Sequence, residues 1–388
     1  MPVTYSGVQY SGIWTLKQAH DAKAAGTWPL QPAPNLYGWG RNNSQFPALG
    51  LNNTTSYSSP KQTGTLSRDW LTVSAGTGYT IAIKENNTLW SWGYNVLGAL
   101  ARSGSYESSP AQVGALTNWL SVTSGYNLNL TIKTDGTLWT WGYNAQGQVG
   151  DGTQTYRNSP VQIGSETNWA TTACGSKHSL AIKTNGTLYA WGLNDHGQLG
   201  LGNTTDRSSP VQVGALTNWL AVAGGYYHTI AVKTNGTLWS WGRNHVGQLG
   251  LGNTTSISSP VQIGALTTWS KVRGINTACF AIKTDGTMWS WGNGSSGRLG
   301  LGNTTYYSSP KQIGSDTNWS TLATNGGKSS SGFAIKTNGT LWSWGDNTVG
   351  VLGLGSTNSV STPTQIGTLT TWTMVSNAQE HTMAILVI

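Results

Sequence analysis

Apolar and polar positions alternate with period two through short runs of this chain, and turns rich in Gly, Asn, Ser and Thr separate the runs. In HTIAVK (His228–Lys233), Ile230 and Val232 share one side of an extended chain and Ala231 falls on the other. The run enters Thr234-Asn235-Gly236-Thr237, where Asn-Gly between alternating apolar residues predicts a hairpin with a type I′ turn. LWSWG returns from the turn, with Trp239 and Trp241 on one side and Leu238 and Ser240 on the other. PVQVG (Pro210–Gly214) and WLAVAGG (Trp219–Gly225) precede the hairpin, so one unit holds four short strands.

The unit repeats. Its closing Trp-Gly dipeptide falls at Trp39, Trp92, Trp141, Trp191, Trp241, Trp291 and Trp344, about fifty residues apart, a period that predicts a propeller. The strand before it also has seven copies: IAIK, LTIK, LAIK, IAVK, FAIK, FAIK and, at the C-terminus, MAILVI. The two sets are out of phase by one. LYGWG near Tyr37 has no preceding partner and MAILVI after His381 has no following one, so pairing them completes a blade from both ends and closes the ring. The expected fold is all-β: a seven-bladed β-propeller of four-stranded blades over residues 35–388, its last blade closed by the N- and C-terminal strands. Residues 1–34 stand apart as a short helical or extended segment.

Nineteen of the 21 tryptophans occupy three positions of the repeat, with Tyr37 and Tyr189 at the other two, and only Trp14 and Trp28 lie outside. Tryptophan pairs also build stacking platforms for sugars or bases. Period-two parity instead assigns these to packing between neighbouring blades, bulky side chains meeting small ones, because burial stabilises an aromatic ring far more than exposure does.

Composition adds exclusions. Charged residues are 9% of the chain, and the formal charge of +8 comes without any basic run, so no specific nucleic-acid partner is expected. Cys174 and Cys279 sit at non-equivalent repeat positions and read as buried, idle thiols, with no disulfide framework, metal or cofactor implied. The N-terminus lacks a basic segment followed by a long apolar run, and no stretch has the length of a membrane span, so membrane insertion is not expected. Sequons such as Asn235-Gly-Thr read as turns.

The string Val222–Gly242, VAGGYYHTIAVKTNGTLWSWG, continued by RNHVGQLGLGN, resembles the regulator of chromosome condensation repeats over residues 35–388. The resemblance is fullest in the copies ending at Trp191 and Trp241, and it implies a seven-bladed propeller. His178, His228 and His381 keep the histidine of that motif, Tyr79, Leu128 and Ala278 replace it elsewhere, and one copy carries the insertion NGGKSSSG. The founding member of the family is a nucleotide-exchange factor for a small nuclear GTPase and binds nucleosomes. No acidic wedge loop or basic tail appears here to carry those activities over. The first 34 residues are similar to something different: SGIWTLKQAHDAKAAGTWP resembles a segment near the N-termini of bacteriophage tail and other structural proteins. It reads as a helix over Leu16–Ala25, capped by Thr15 and ended by Gly26, with Trp14, Leu16 and Trp28 as attachment anchors.

Motifs for chemistry are scarce. Gly192 to Gly197 has a GxxxxG spacing with no following GK[ST], and His20-Asp21 and Asp195-His196 are adjacent pairs without a nucleophile elbow or HExxH. No enzyme is expected; a polysaccharide-active enzyme would need two carboxylates about 5–10 Å apart in one cleft.

Variation between copies is more informative. Strand direction reverses at each step, so GALTNW and TNGT share one nearly constant face, while the connections on the other face change from blade to blade. Tyr57, Tyr106, Tyr156, Arg157, Arg207, Ile257, Tyr306 and Tyr307 fall on that variable face, joined by Lys177, Tyr226, Tyr227 and the loop Asn325–Ser331. Tyr and Arg among Ser, Thr and Gly is the composition of a recognition surface; drift in solvent-exposed loops is the alternative. Lys84, Lys133, Lys183, Lys233, Lys283 and Lys336 form a ring on the constant face, either docking an acidic partner or ending strands in solvent with their stems over neighbouring rings.

The two resemblances together point to a non-enzymatic virion structural or adhesion protein of a bacteriophage, a tail-fibre, receptor-binding or capsid-decorating component made in the host cytoplasm. Its N-terminal segment would hold other virion proteins and its variable face a host surface protein or glycan. The alternative is a cellular protein-interaction propeller engaging a small GTPase or chromatin.

Overall fold

The structure, a computed structural model, describes residues 33–63, 67–324 and 328–388. The propeller spans Pro34–Ile388 and holds seven four-stranded antiparallel sheets. In the blade around residue 240 the strands run from centre to rim in chain order: Trp219–Gly224, His228–Lys233, Leu238–Gly242 and Ile257–Gln262. Six blades repeat this order. The seventh is ordered Trp372–Asn377, His381–Val387, Pro34–Gly40, Tyr57–Gln62, so its middle strands come from opposite chain ends. Their register runs from Pro34 opposite Val387 to Gly40 opposite His381 without a shift. The attachment residues Trp14, Leu16 and Trp28 lie outside the described residues.

The hairpin turn is not type I′. Gly236 alone takes positive φ, at +75°, while its amide donates to Lys233 O and Lys233 N donates to Thr237 O. The Asn235 side chain explains the difference: its Oδ1 accepts from both the amide and the hydroxyl of Thr237, which favours a type I turn followed by a left-handed glycine.

Parity works as expected, with a change in what meets what. Trp219, Trp239 and Trp241 pack toward the preceding blade, against Leu180, Ile182 and Leu188. Ile230, Val232 and Leu238 face the next blade, where Trp269, Trp289 and Trp291 meet them. The tryptophans thus meet branched aliphatics as well as the expected small residues, Ala173, Ala190 and Gly200 among them, because the strand alternates a tryptophan face with an aliphatic one. The second tryptophan of each pair is fully buried. Its indole N–H donates to a carbonyl of the preceding blade's rim loop, as Trp241 does to Gln198 O at 3.0 Å and Trp39 to Val351 O at 2.7 Å, the latter across the closure. The motif histidines link blades too: Nε2 of His178 lies 3.1 Å from Thr229 Oγ1, and that of His381 3.0 Å from Thr80 Oγ1. Burial lowers the pKa of His178 to about 4 and of His381 to about 3, so both stay neutral at physiological pH.

Candidate interaction surface

Large apolar side chains exposed on the propeller divide by face. Tyr106, Tyr156 and Tyr306, exposed by 61%, 41% and 48%, lie on the variable face. Leu71, Leu116, Leu120, Leu216, Leu220, Leu266 and Leu369, about half exposed, lie on the constant face in GALTNW-type loops and at the starts of inner strands.

The variable loops are held from beneath. Asn244, buried after the Trp-Gly dipeptide, donates from Nδ2 to Asn253 O and Thr255 O and accepts the Leu249 amide at Oδ1, tying both ends of the rim loop to one side chain. Asn144, Asn194 and Asn347 do the same in their blades. Such loops present side chains without ordering first, which lowers the entropic cost of binding.

The expected recognition residues separate into two kinds. Tyr57, Ile257, Tyr307, Arg157 and Arg207 open outer strands and are half-buried. Tyr307 and Tyr57 pack on interblade cores, Lys311 and Lys61 lie over their rings, and Arg157 Nε donates to Asp151 Oδ2 at 2.5 Å. Hydrogen bonds from Thr153 and Arg157 hold the Asp151 pKa below its usual value, although burial alone would raise it. Tyr57, Tyr307 and Arg157 thereby anchor their loops. Tyr106, Tyr156 and Tyr306 project; Tyr156 lies 5.2 Å from Tyr143, and the Tyr306 hydroxyl is 2.7 Å from Ser295 Oγ.

An inner cluster surrounds the channel mouth. Tyr226 and Tyr227 pack edge to face at 4.3 Å, His196 lies 5.1 Å from Tyr227, and the Arg243 guanidinium sits 5.7 Å from the same ring. Burial, then Tyr226, raises the Tyr227 phenol to about 12. Lys328 places its ammonium 3.7 Å from Tyr126 and 5.8 Å from Tyr226. Lys177 is half-buried beside His178, and its carbonyl accepts the Leu193 amide. Residues 325–327 of the expected loop lie outside the described residues. Tyr126 and Arg243 carried no expectation from the sequence, and His196 stood out there only for its neighbour Asp195; Tyr126 occupies the repeat position of Tyr226, a signal that could have found it.

Beneath the mouth, Arg273 is buried in the channel and donates to Asn377 Oδ1 on the far side, while Asn377 Nδ2 donates to Ser329 Oγ at 2.6 Å. Desolvation lowers the Arg273 pKa to about 9. An arginine at an inner-strand position that holds Ser, Thr or Ala in the other copies (Ser74, Thr123, Ala173, Ala223, Ala323, Ser376) was the signal for this bridge.

On the constant face the lysines form neither a solvated fringe nor an exposed docking ring. Each ammonium sits 3.5–5.0 Å from the centroids of two aromatic rings of its own blade, as Lys233 does between Trp219 and Trp239. Lys84, Lys183 and Lys336 also pair with Asp69, Glu166 and Asp316. Burial lowers the Lys183 pKa, but hydrogen bonds with Glu166 and Tyr189 outweigh it and the net shift is upward; burial leaves Lys233 shifted downward. Among the described residues no three His, Cys, Asp or Glu side chains gather as a metal site, and no helix is long and apolar enough to cross a membrane.

The RCC1-like domain matches residues 30–332, and the regulator of chromosome condensation (RCC1) repeat matches residues 338–385. No curated protein matches the sequence. Among solved structures, human WBSCR16 is 22% identical over 91% of this chain and 99% of its own, with a TM-score of 0.80. Prp20p of Saccharomyces cerevisiae, whose binding properties toward Gsp1p and histones are described, is 21% identical over 92% of each chain, at 0.79. Yeast RCC1 (Prp20) bound to Kap60 is 20% identical over 99% of this chain and 96% of its own, at 0.81. At these identities the likeness concerns the fold.

Proposed function

This chain belongs to the family of RCC1-like domains, and we propose that it works as a non-catalytic propeller that binds a protein partner through its variable face. The observation that carries the reading is the tyrosine array of Tyr106, Tyr156 and Tyr306 around the inner cluster of Tyr126, Tyr226, Tyr227 and Lys328, with the Tyr106 and Tyr156 loops tied down by Asn95 and Asn144. Rigid tyrosines give contact area at low entropic cost, and arginines and lysines among them give orientation. Prp20p, with the same fold, binds Gsp1p and histones, which favours a small GTPase or a histone as the class of partner.

Site-specific photocrosslinkers test the face. Placed at Tyr106, Tyr156 and Tyr306 in turn, they are expected to capture one common protein from a panel of nucleotide-loaded GTPases, core histones and host envelope proteins. Probes at Leu216 and Leu266 should not capture it. Capture from the leucine positions alone overturns the assignment.

A second reading is carried by the sequence of residues 11–29, which resembles segments of bacteriophage structural proteins. It makes the propeller a virion component whose variable face meets a host surface protein or glycan. Here the purified protein co-sediments with phage particles, and Trp14→Ala with Trp28→Ala abolishes this while leaving the propeller folded. Absence of co-sedimentation removes this reading and leaves the first untouched.

A further inference from the structure

We propose that the seventh blade binds the lysine side chain of a partner protein between Tyr37 and Trp372, where each of the other six blades inserts a lysine of its own.

The six internal copies define the site. In every one, the first tryptophan of the inner strand lies opposite a lysine on the next strand: Trp70 opposite Lys84, Trp169 opposite Lys183, Trp219 opposite Lys233. The lysine reaches out between that ring and the first aromatic of the Trp-Gly strand. In the seventh blade the residue opposite Trp372 is Leu386. Its side chain ends two atoms short of an ammonium and is buried in the interblade core, so it covers the ring bases but not the cation position.

The rings nevertheless keep their arrangement. Tyr37 and Trp372 stand 5.5 Å apart at 72°, against 5.2–6.1 Å and 74–81° in the six lysine-bearing blades. Blade three is the nearest template because it too has a tyrosine: Trp169 and Tyr189 flank Lys183, whose ammonium donates to the Tyr189 hydroxyl at 3.2 Å. An incoming ammonium thus has two ring faces and the Tyr37 hydroxyl to meet.

Comparison of two equivalent grooves makes the same point. Beside the first blade a groove of about 640 Å³ is lined by Trp70, Trp90, Leu51, Pro110 and the blade's own Lys84. Its counterpart at the seventh blade, about 520 Å³, is lined by Trp372, Tyr37, Leu354, Pro60 and Leu369, and Leu386 does not reach it. Among the described residues no lysine or arginine lies over Tyr37 or Trp372. Leu354, Pro60 and Leu369 offer an apolar wall for a methylene stem, and the rings an electrostatic seat for its head; together they select an alkylammonium over a neutral chain. The inference stands whether or not the variable face takes a partner.

The test uses the full chain with ¹⁵N-labelled tryptophan and N-acetyl-lysine methylamide as probe, N-acetyl-norleucine methylamide as neutral isostere and tetramethylammonium as free cation. The Trp372 indole signal is expected to shift saturably with the lysine derivative, in the millimolar range, and not with norleucine, while Trp70 and Trp319 stay unmoved. Leu386→Lys restores the internal cation and should abolish the response; unchanged signals from the other indoles report its folding. Should that variant misfold, Tyr37→Leu removes one wall and the hydroxyl, and should weaken binding about tenfold. Equal shifts with norleucine, a still Trp372, a response to tetramethylammonium alone, or an undiminished response in either folded variant each overturn the proposal.

Discussion

Gly242 shows how a single missing Cβ holds a blade together. It follows Trp241, adopts φ of +102°, and a Cβ there would lie 2.6 Å from Tyr227 O and 2.8 Å from His228 Cα, both backbone atoms of the paired strand. Glycine fills this position in all seven copies, at φ between 97° and 113°. The register shift between Ser240 and Gly242 falls at the same point, which lets the outer strand pair while Trp241 stays aimed at the preceding blade. Gly242→Ala is therefore expected to cost about 3 kcal/mol or more, strain and backbone collision together. Gly214→Ala, with φ of +62° and nothing within 4 Å of the added carbon, should cost only about 1 kcal/mol. Urea unfolding of both variants measures the difference, and equal losses would show that backbone approach is not what excludes a side chain at Gly242.

Within a blade, the lysine between two rings turns a polar strand end into part of the packing. Repeat position had placed all six lysines together, yet the burial of the ammonium was settled by the strand register that sets the inner-strand tryptophan opposite it. Blades then differ in how that charge is balanced. Glu166 stands beside Lys183 and leaves its pKa raised, whereas Leu216 occupies the same loop position beside Lys233, whose pKa burial lowers. Leu216→Glu should stabilise its blade by about 0.5–1 kcal/mol at low ionic strength, less in high salt, and by nothing once Lys233 is changed to Met. A double-mutant cycle in urea reads the coupling. The hairpin turn teaches the complementary lesson: Asn-Gly located it correctly, but the Thr237 that follows decided its type by bonding back to Asn235.

At the scale of the whole ring, stability depends on a joint between residues more than three hundred positions apart. The strand Pro34–Gly40 pairs along its full length with His381–Val387, and Trp39 donates to Val351 O across the same seam. Removing residues 381–388 takes Met383 and Ile385 away from Trp70, Trp90 and Trp92 and deletes the strand that joins Trp372–Asn377 to Pro34–Gly40, so the truncated chain is expected to lose its near-ultraviolet tryptophan circular dichroism and elute as aggregate. A permutant whose new break falls at a constant-face loop, with the present ends joined, should remain folded and monodisperse; if the truncated chain does likewise, the seam is not a requirement. Sequence alone determined the period, the phase offset that demands closure, and which side of each strand carries tryptophan, because all three are properties of spacing. Tertiary structure decided what depends on distances across blades: the partners of the tryptophans, the burial of the lysines, the arginine bridging the channel, and the convergence of Tyr126, Tyr226 and Lys328 from separate blades. No spacing rule encodes those meetings, since ring geometry alone sets how far apart residues of different blades come to lie.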